Sequence, residues 1–223
     1  MKRPIVVELY TSQGCSSCPP ADALLAQLAG RRDVLAMSLP VTYWDMLGWR
    51  DTLASETNTR RQKAYAGQLG RGGVYTPQMI VDGKTDVVGS REPAVAAAIA
   101  ARSNDMSSVP VGVEGNPQQV HISVGAAAAP GQHEATIWLF RLTPQTTVNI
   151  AGGENGGRTV TYRNVVREIR AVGEWKGQPL SLSVPRAEAG ASHQGLAVLL
   201  QQGGYGRVIG AALIDHPNFD YLR

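Results

Sequence analysis

The sequence predicts an α/β first half, residues 1–105, followed by a β-rich second half, residues 106–223. Three observations carry this expectation. Strand-like and helix-like apolar patterns alternate from Ile5 to Ala101. A polar stretch, Ser103 to Ser108, then breaks the alternation. Beyond it lie short β-branched runs separated by Gly, Pro or Asn, the spacing of a sandwich-like β domain.

The elements follow in order. Ile5–Tyr10 is a short β-branched run and reads as a buried strand. Thr11 to Cys18 is a loop pivoting on Gly14. Pro19-Pro20 then opens a helix, as proline does in a first turn, and Asp22 suits the same end electrostatically. Ala21, Leu24, Leu25 and Leu28 form an apolar stripe, and Gly30 stops the helix. Val34–Val41 is a second strand. Residues 43–73 form an insertion: an aromatic turn with Tyr43, Trp44, Asp45, Gly48 and Trp49, then a helix capped by Asp51 or Thr52 with Leu53, Thr57, Ala64 and Tyr65 on one side. Gln78–Val81 is a strand, Asp82-Gly83 a hairpin turn, Val87-Val88 the return strand, and Ser90 caps a last helix with Val95 and Ile99 inward. In the second half, strands are expected at 109–113, 120–124, 135–142, 146–150, 180–184, 196–202 and 208–214. Residues 159–172 fit either period, and their context favours strand.

Composition bounds the function. The chain has 223 residues, 43% hydrophobic and 17% charged, enough for one large core or two modest ones. A net charge of +3 with scattered Arg residues predicts no nucleic-acid surface. No apolar run is long enough for a membrane span. The start, Met1-Lys2-Arg3-Pro4, lacks the apolar stretch of a secretory leader, so the expectation is a cytoplasmic protein if Met1 is the native start, or one whose leader has been removed.

Chemistry concentrates at the two cysteines, Cys15 and Cys18. Three positions apart, they cannot staple distant segments, and so short a loop constrains little unfolded-state entropy. They lie where a strand hands over to a helix, where free amides and the helix dipole favour a thiolate. Cys15 is expected to be the outer, attacking thiol and Cys18 the buried, resolving one. The plainer readings of Cys-x-x-Cys are half a zinc site or an inert disulfide. A four-ligand zinc site needs two more Cys or His, and the first half contains neither, so no metal site is assigned. Tyr75-Thr76-Pro77-Gln78 stands before a strand. In this order of elements, that of a thioredoxin-like domain, Pro77 falls where a cis-proline faces the disulfide and the backbone of Thr76 binds a substrate strand. The plain alternative is a strand-initiating proline. Glu8, the one charged residue of its strand, is a candidate proton relay to Cys18, or else a solvent-facing residue of an edge strand. Trp44, with Tyr43 and Trp49, is a candidate substrate platform rimmed by Asp45 and Arg50, or else core.

Taken together, the run from Val7 to Asp22, Tyr43-Trp44-Asp45, Gly48-Trp49, Tyr75-Thr76-Pro77-Gln78 and Gly153–Val160 resembles the bacterial family called domain of unknown function 1223. The resemblance spans nearly the whole chain. It implies a thioredoxin-like fold with a β-rich second part, often in exported proteins, and so favours a periplasmic location; it implies no substrate.

In the second half, Gly152–Gly157 invites a phosphate-loop reading but lacks the Gly-Lys-Ser/Thr ending, so it is expected to be a turn between strands. His121, His133, His193 and His216 show no ligand spacing and are expected to be surface or core residues. The second half is read as a module that presents a partner or substrate. The function expected is thiol–disulfide exchange on protein or small disulfides, with a separate redox partner and no cofactor. The rivals are a Cu(I)-binding protein, using two soft thiolates, and a non-catalytic binding module.

Overall fold

The structure is a computed structural model. It describes residues 3–103, 108–116, 118–129, 134–189 and 195–214. The first half folds as β1 (Ile5–Thr11), α1 (Pro19–Leu28), β2 (Val34–Pro40), α2 (Glu56–Gln68), β3 (Gln78–Val81), β4 (Thr85–Val88) and α3 (Glu92–Ser103). The second half adds β5 (Val111–Gly115), β6 (Gln119–Val124), β7 (Ala135–Asn149), β8 (Thr159–Trp175), β9 (Leu180–Pro185), α4 (Arg186–Ala189), β10 (Gly195–Gln202) and β11 (Val208–Ile214).

Every residue of β1 and β2 is buried, as their mostly apolar runs predict, and with them Glu8, Thr11 and Ser38. They pair in parallel, and β3 adds antiparallel to the other side of β1. On one face α1 and α3 pack Ala21, Leu24, Leu25, Leu28, Val95 and Ile99 against Val7, Leu9 and Met79. Burying each leucine of α1 contributes about 1.5–3 kcal/mol.

The helix expected from residue 51 starts at Glu56, with Ser55 accepting the Asn58 N–H. Asp51 instead ties a turn, accepting from Leu53 and Ala54 N–H at 2.8 and 3.1 Å. The buried face of α2 is polar: Asn58, Thr59, Arg61 and Gln62 beside Tyr65 and Ala66. Leu53 and Thr57 do not form that face.

The two halves share one sheet of eight strands, ordered β11-β10-β7-β8-β2-β1-β3-β4. Each half keeps an apolar core of its own, and a third core is shared between them. The shared core joins Val6, Tyr10, Met37 and Tyr65 of the first half to Phe140, Leu142, Val166 and Leu199 of the second. The joint lies at a proline. Pro144 falls inside β7, where the sequence suggests a break, yet the strand continues: Thr143 pairs with Val165 and Gln145 with Arg163. Opposite the missing proline N–H, Asn164 turns to a φ of 46° and donates to Ala36 O at 2.9 Å. The next residue, Val165, pairs with Ser38 of β2.

A second joint lies at the turn after β3. Asp82 O accepts from Val208 N–H, and the Asp82 carboxylate holds Arg3, Arg102 and the Val6 N–H. Gly83, at φ 66°, abuts the Gly206 carbonyl with no room for a Cβ. The sandwich-like part of the expectation takes a local form. The three-stranded sheet β5-β6-β9 encloses a core with β7, β10 and β11, built on Ile122, Ile137, Trp175 and Val198.

Candidate functional site

β1 delivers the chain into the cysteine loop. The Ser12 Oγ accepts from Gly14 N–H at 3.1 Å, and Cys15 N–H donates to Ser12 O at 3.2 Å. Gly14 sits against Trp44; a Cβ there would lie 3.3 Å from the Trp44 Cβ, tighter than side chains normally pack. Cys15 and Cys18 are joined as a disulfide, with Cα atoms 5.4 Å apart. Cys18 is the N-cap of α1, so the pair stands at a helix start.

Two expectations about the pair need correction. First, Cys15 is not exposed: it is 1% accessible and Cys18 0%. Elements from both halves cover the loop, which the local sequence does not reveal. Second, the helix start is poor in amide donors. Its first two residues are Pro19 and Pro20, which have no N–H, while the Ala21 and Asp22 N–H groups bond to Cys18 O. Cys18 N–H donates to Cys15 O at 3.1 Å.

The tip of the β7–β8 hairpin, Gly152–Gly157, docks on this loop. It is the glycine-rich turn expected, but it also does what the sequence does not announce. Asn155, 1% exposed, donates through Nδ2 to Gln13 O at 2.9 Å and to Cys15 O at 2.8 Å. The Glu154 carboxylate accepts from Ser16 N–H at 3.2 Å. Gly153, at φ 69°, lies where a Cβ would meet the Trp49 Cβ at 3.1 Å. Glycines let the turn approach this closely.

The aromatic segment forms the third wall. Asp51 Oδ2 accepts from Gln13 N–H at 2.8 Å, and Gln13 Oε1 accepts from Trp49 Nε1–H at 2.8 Å. Burial pushes the Asp51 carboxyl above the usual carboxylate range. Asp45, expected at the rim, accepts from Asp51 N–H. Trp44 and Tyr43 are partly buried and pack on the shared core, so Trp44 backs the cysteine loop. The apolar groups that face outward here are Met46 and Leu47.

The Thr76–Pro77 bond is cis. It precedes β3, whose Gln78 pairs with Tyr10 near the end of β1. Pro77 O accepts from Gly89 N–H, whereas the N–H and C=O of Thr76 make no hydrogen bond among the described residues. Tyr75 is held by its neighbours: its hydroxyl donates to Asp86 and its carbonyl accepts from Gln62.

Glu8 is neither a solvent-facing residue nor free to relay a proton to Cys18. It is fully buried and ion-paired with Arg61 at 2.6 Å, and it accepts from Tyr65 and Tyr10 hydroxyls. Gln201 of β10 accepts from Arg61 and donates to Tyr65. The Arg61 guanidinium lies 5.0–5.6 Å from the ring centres of Tyr65, Trp138, Phe140 and Tyr205. Strand alternation explains the difference: Glu8 shares the α2 face with Val6 and Tyr10, while α1 covers Val7 and Leu9.

The buried acid on the cysteine side is Asp22. It follows Cys18 by four residues, one helical turn along the same face. It is 6% exposed, and Thr11 donates to its Oδ1 at 2.8 Å. Burial is the largest cause raising its pKa to about 8; the Thr11 hydrogen bond opposes the shift and nearby Asp51 adds to it. An open cleft of about 480 Å³, walled by Pro19, Asp22, Ala23, Arg158 and Thr161 among others, gives it a path to water. The sequence signal available was a carboxylate one turn after a cysteine on an otherwise apolar helix.

Among the described residues, no group of three or more His, Cys, Asp and Glu residues is arranged to hold a metal. His121 is hydrogen-bonded to Ser183 at 2.8 Å on the three-stranded sheet. His133, His193 and His216 lie outside the described residues. Among the described residues, no helix is long and apolar enough to cross a membrane.

Residues 6–201 match the family described as Protein of unknown function (DUF1223). The chain belongs to this family. It is 35% identical to a protein of Agrobacterium tumefaciens with a solved crystal structure, covering 96% of this chain and 95% of that one at a TM-score of 0.85. HBP35 of Porphyromonas gingivalis shares the fold at a TM-score of 0.70, with 12% identity over 98% of this chain and 76% of that one. No curated protein sequence matches the chain. The DUF1223 match takes in the cysteine loop, the Thr76–Pro77 segment and the Glu154–Asn155 tip alike.

Proposed function

We propose that this DUF1223 protein is a thiol–disulfide oxidoreductase whose first half is a thioredoxin-like module. The observation that carries the reading is the Cys15–Cys18 disulfide at the start of α1, at the end of a buried central strand. Support comes from the cis Thr76–Pro77 bond beside that strand and from the backbone of Thr76, which has no hydrogen-bond partner among the described residues and suits pairing with an extended peptide.

The chemistry balances as follows. The Cys15 thiolate attacks one sulfur of a substrate disulfide, forming a mixed disulfide and expelling the other sulfur as a thiolate. The Cys18 thiolate then attacks the Cys15 sulfur. The internal disulfide forms, the second substrate thiolate leaves, and two electrons have passed to the substrate. A dithiol partner resets the pair by the reverse steps. Asp22 takes the part that the sequence reading assigns to Glu8. A carboxyl with a pKa of about 8 matches the thiol it serves, so it accepts the Cys18 proton during resolution and returns it when the disulfide is opened.

The test is capture of mixed disulfides by the Cys18→Ser chain. Covalent partners released by dithiothreitol, absent from the Cys15→Ser chain, support the reading. Absence of any such species, together with no turnover of a small disulfide by the unmodified chain, overturns it.

A further inference from the structure

A thiol pair donates electrons when its reduced form is weakly stabilised and accepts them when the thiolate is strongly stabilised. The surroundings of Cys15 bear on that balance. In a sulfur-bearing helix start, stabilisation comes from free amide hydrogens and the dipole. Here Pro19 and Pro20 remove two of those hydrogens, and Cys18 N–H is taken by Cys15 O. Of the two amides between the cysteines, Ser16 N–H already serves a carboxylate, that of Glu154. The hairpin tip carrying Glu154 is not loosely placed: Asn155 beside it bonds the carbonyls of Gln13 and Cys15, and Gly153 packs on Trp49.

We infer that Glu154 is a positioning residue for Cys15: carried in by the second half, it places its carboxylate on the amide next to the nucleophile and disfavours ionisation of that thiol, which biases the pair toward donating electrons. The inference rests on the disulfide-exchange reading and adds its direction. It gives the second half a part in the chemistry: β7 and β8 run from the shared core to a tip that sets the charge at the first half's sulfur. In the donor direction the reduced pair loses two electrons to a substrate disulfide, two substrate thiols are released, and a dithiol or glutathione-type reductant restores the pair.

The experiment is a pH titration of thiolate absorbance in the full chain, in a Cys18→Ser background so that a single thiol titrates. The expected Cys15 pKa lies near the ordinary value of about 8.5. Glu154→Gln keeps an acceptor for Ser16 N–H but removes the charge. It is expected to lower the Cys15 pKa by about half a unit in low salt, with a smaller shift in ~1 M salt, because an exposed charge is screened. Pro20→Ala, which restores an amide to the first turn, shifts the pKa the same way. With both cysteines present and at a pH of about 9.5, where Cys15 is largely ionised, Glu154→Gln moves the equilibrium with glutathione about threefold toward the reduced pair, the counterpart of half a pKa unit; near pH 7, where the thiol is protonated in both chains, the equilibrium is almost unchanged. A Cys15 pKa below ~6 in the otherwise unmodified chain, or a Glu154→Gln shift absent at low salt, overturns the inference. Protons and glutathione are the only probes, so a failure of partner capture by Cys18→Ser is a separate result that bears on the exchange reading alone.

Discussion

Asp22→Asn isolates the buried carboxyl beside the cysteine pair. In the folded chain the Asp22 pKa stands at about 8, against 3.8 as the ordinary value. A carboxyl raised in this way contributes stability that is fully present below the unfolded pKa and is lost as pH rises through the folded one. At pH 4 the folded carboxyl is protonated and the unfolded one nearly half so, and little is lost. Between pH 4 and pH 8 the unfolded chain releases the proton that the folded chain retains. At 1.36 kcal/mol per unit, the full interval amounts to about 5 kcal/mol. The asparagine side chain mimics the protonated acid and still accepts from the Thr11 hydroxyl, so the variant escapes this loss. Urea unfolding of the oxidised proteins should show the two chains nearly equal at pH 4. The variant should gain steadily on the wild type until about pH 8 and hold a constant lead above it. The reasoning is refuted if the difference between the two chains does not change with pH. Slower opening of the disulfide by a small thiol in the variant, with the wild-type dependence near pH 8 removed, reports the proton-transfer role separately.

Two further outcomes follow from the contacts around the site. Glu8→Gln leaves the Arg61 charge buried without its ion pair and is expected to cost about 3–5 kcal/mol in urea unfolding, while the Cys15 pKa stays where it was. A thiol pKa that moves with Glu8 would restore it as a proton-handling group. Asn155→Ala strips the donor from the Gln13 and Cys15 carbonyls. It should cost about 1–3 kcal/mol and speed reduction of the disulfide by dithiothreitol, since the tip no longer anchors over the loop; an unchanged reduction rate would show that the tip does not guard the sulfurs.

What the sequence determined by itself is the local order of the first half. Alternating apolar periods marked β1, α1, β2, β3 and α3, and the apolar stripes of α1 and α3 followed from their spacing, because those helices pack chiefly against apolar side chains; the buried Asp22–Thr11 contact of α1 is the exception. The Cys15–Cys18 loop at a strand-to-helix junction was legible for the same reason, since it depends on neighbours a few residues away, whereas the cis Thr76–Pro77 bond was expected from the order of elements. The long-range pairings were decided only in three dimensions. The inward face of α2 is polar because it meets a carboxylate from β1 and an amide from β10, partners 53 and 140 residues from Arg61. Pro144 is tolerated because Asn164 turns aside and hands β8 to β2. Glu8 and Asp22 end in different surroundings because strand alternation and helix phase, which sequence spacing leaves unregistered to each other, put Glu8 under α2 against Arg61 and Asp22 on α1 one turn after Cys18, bonded to Thr11. The glycine-rich tip reaches Cys15 across some 140 residues, and a contact at that separation leaves no periodic signature in the chain.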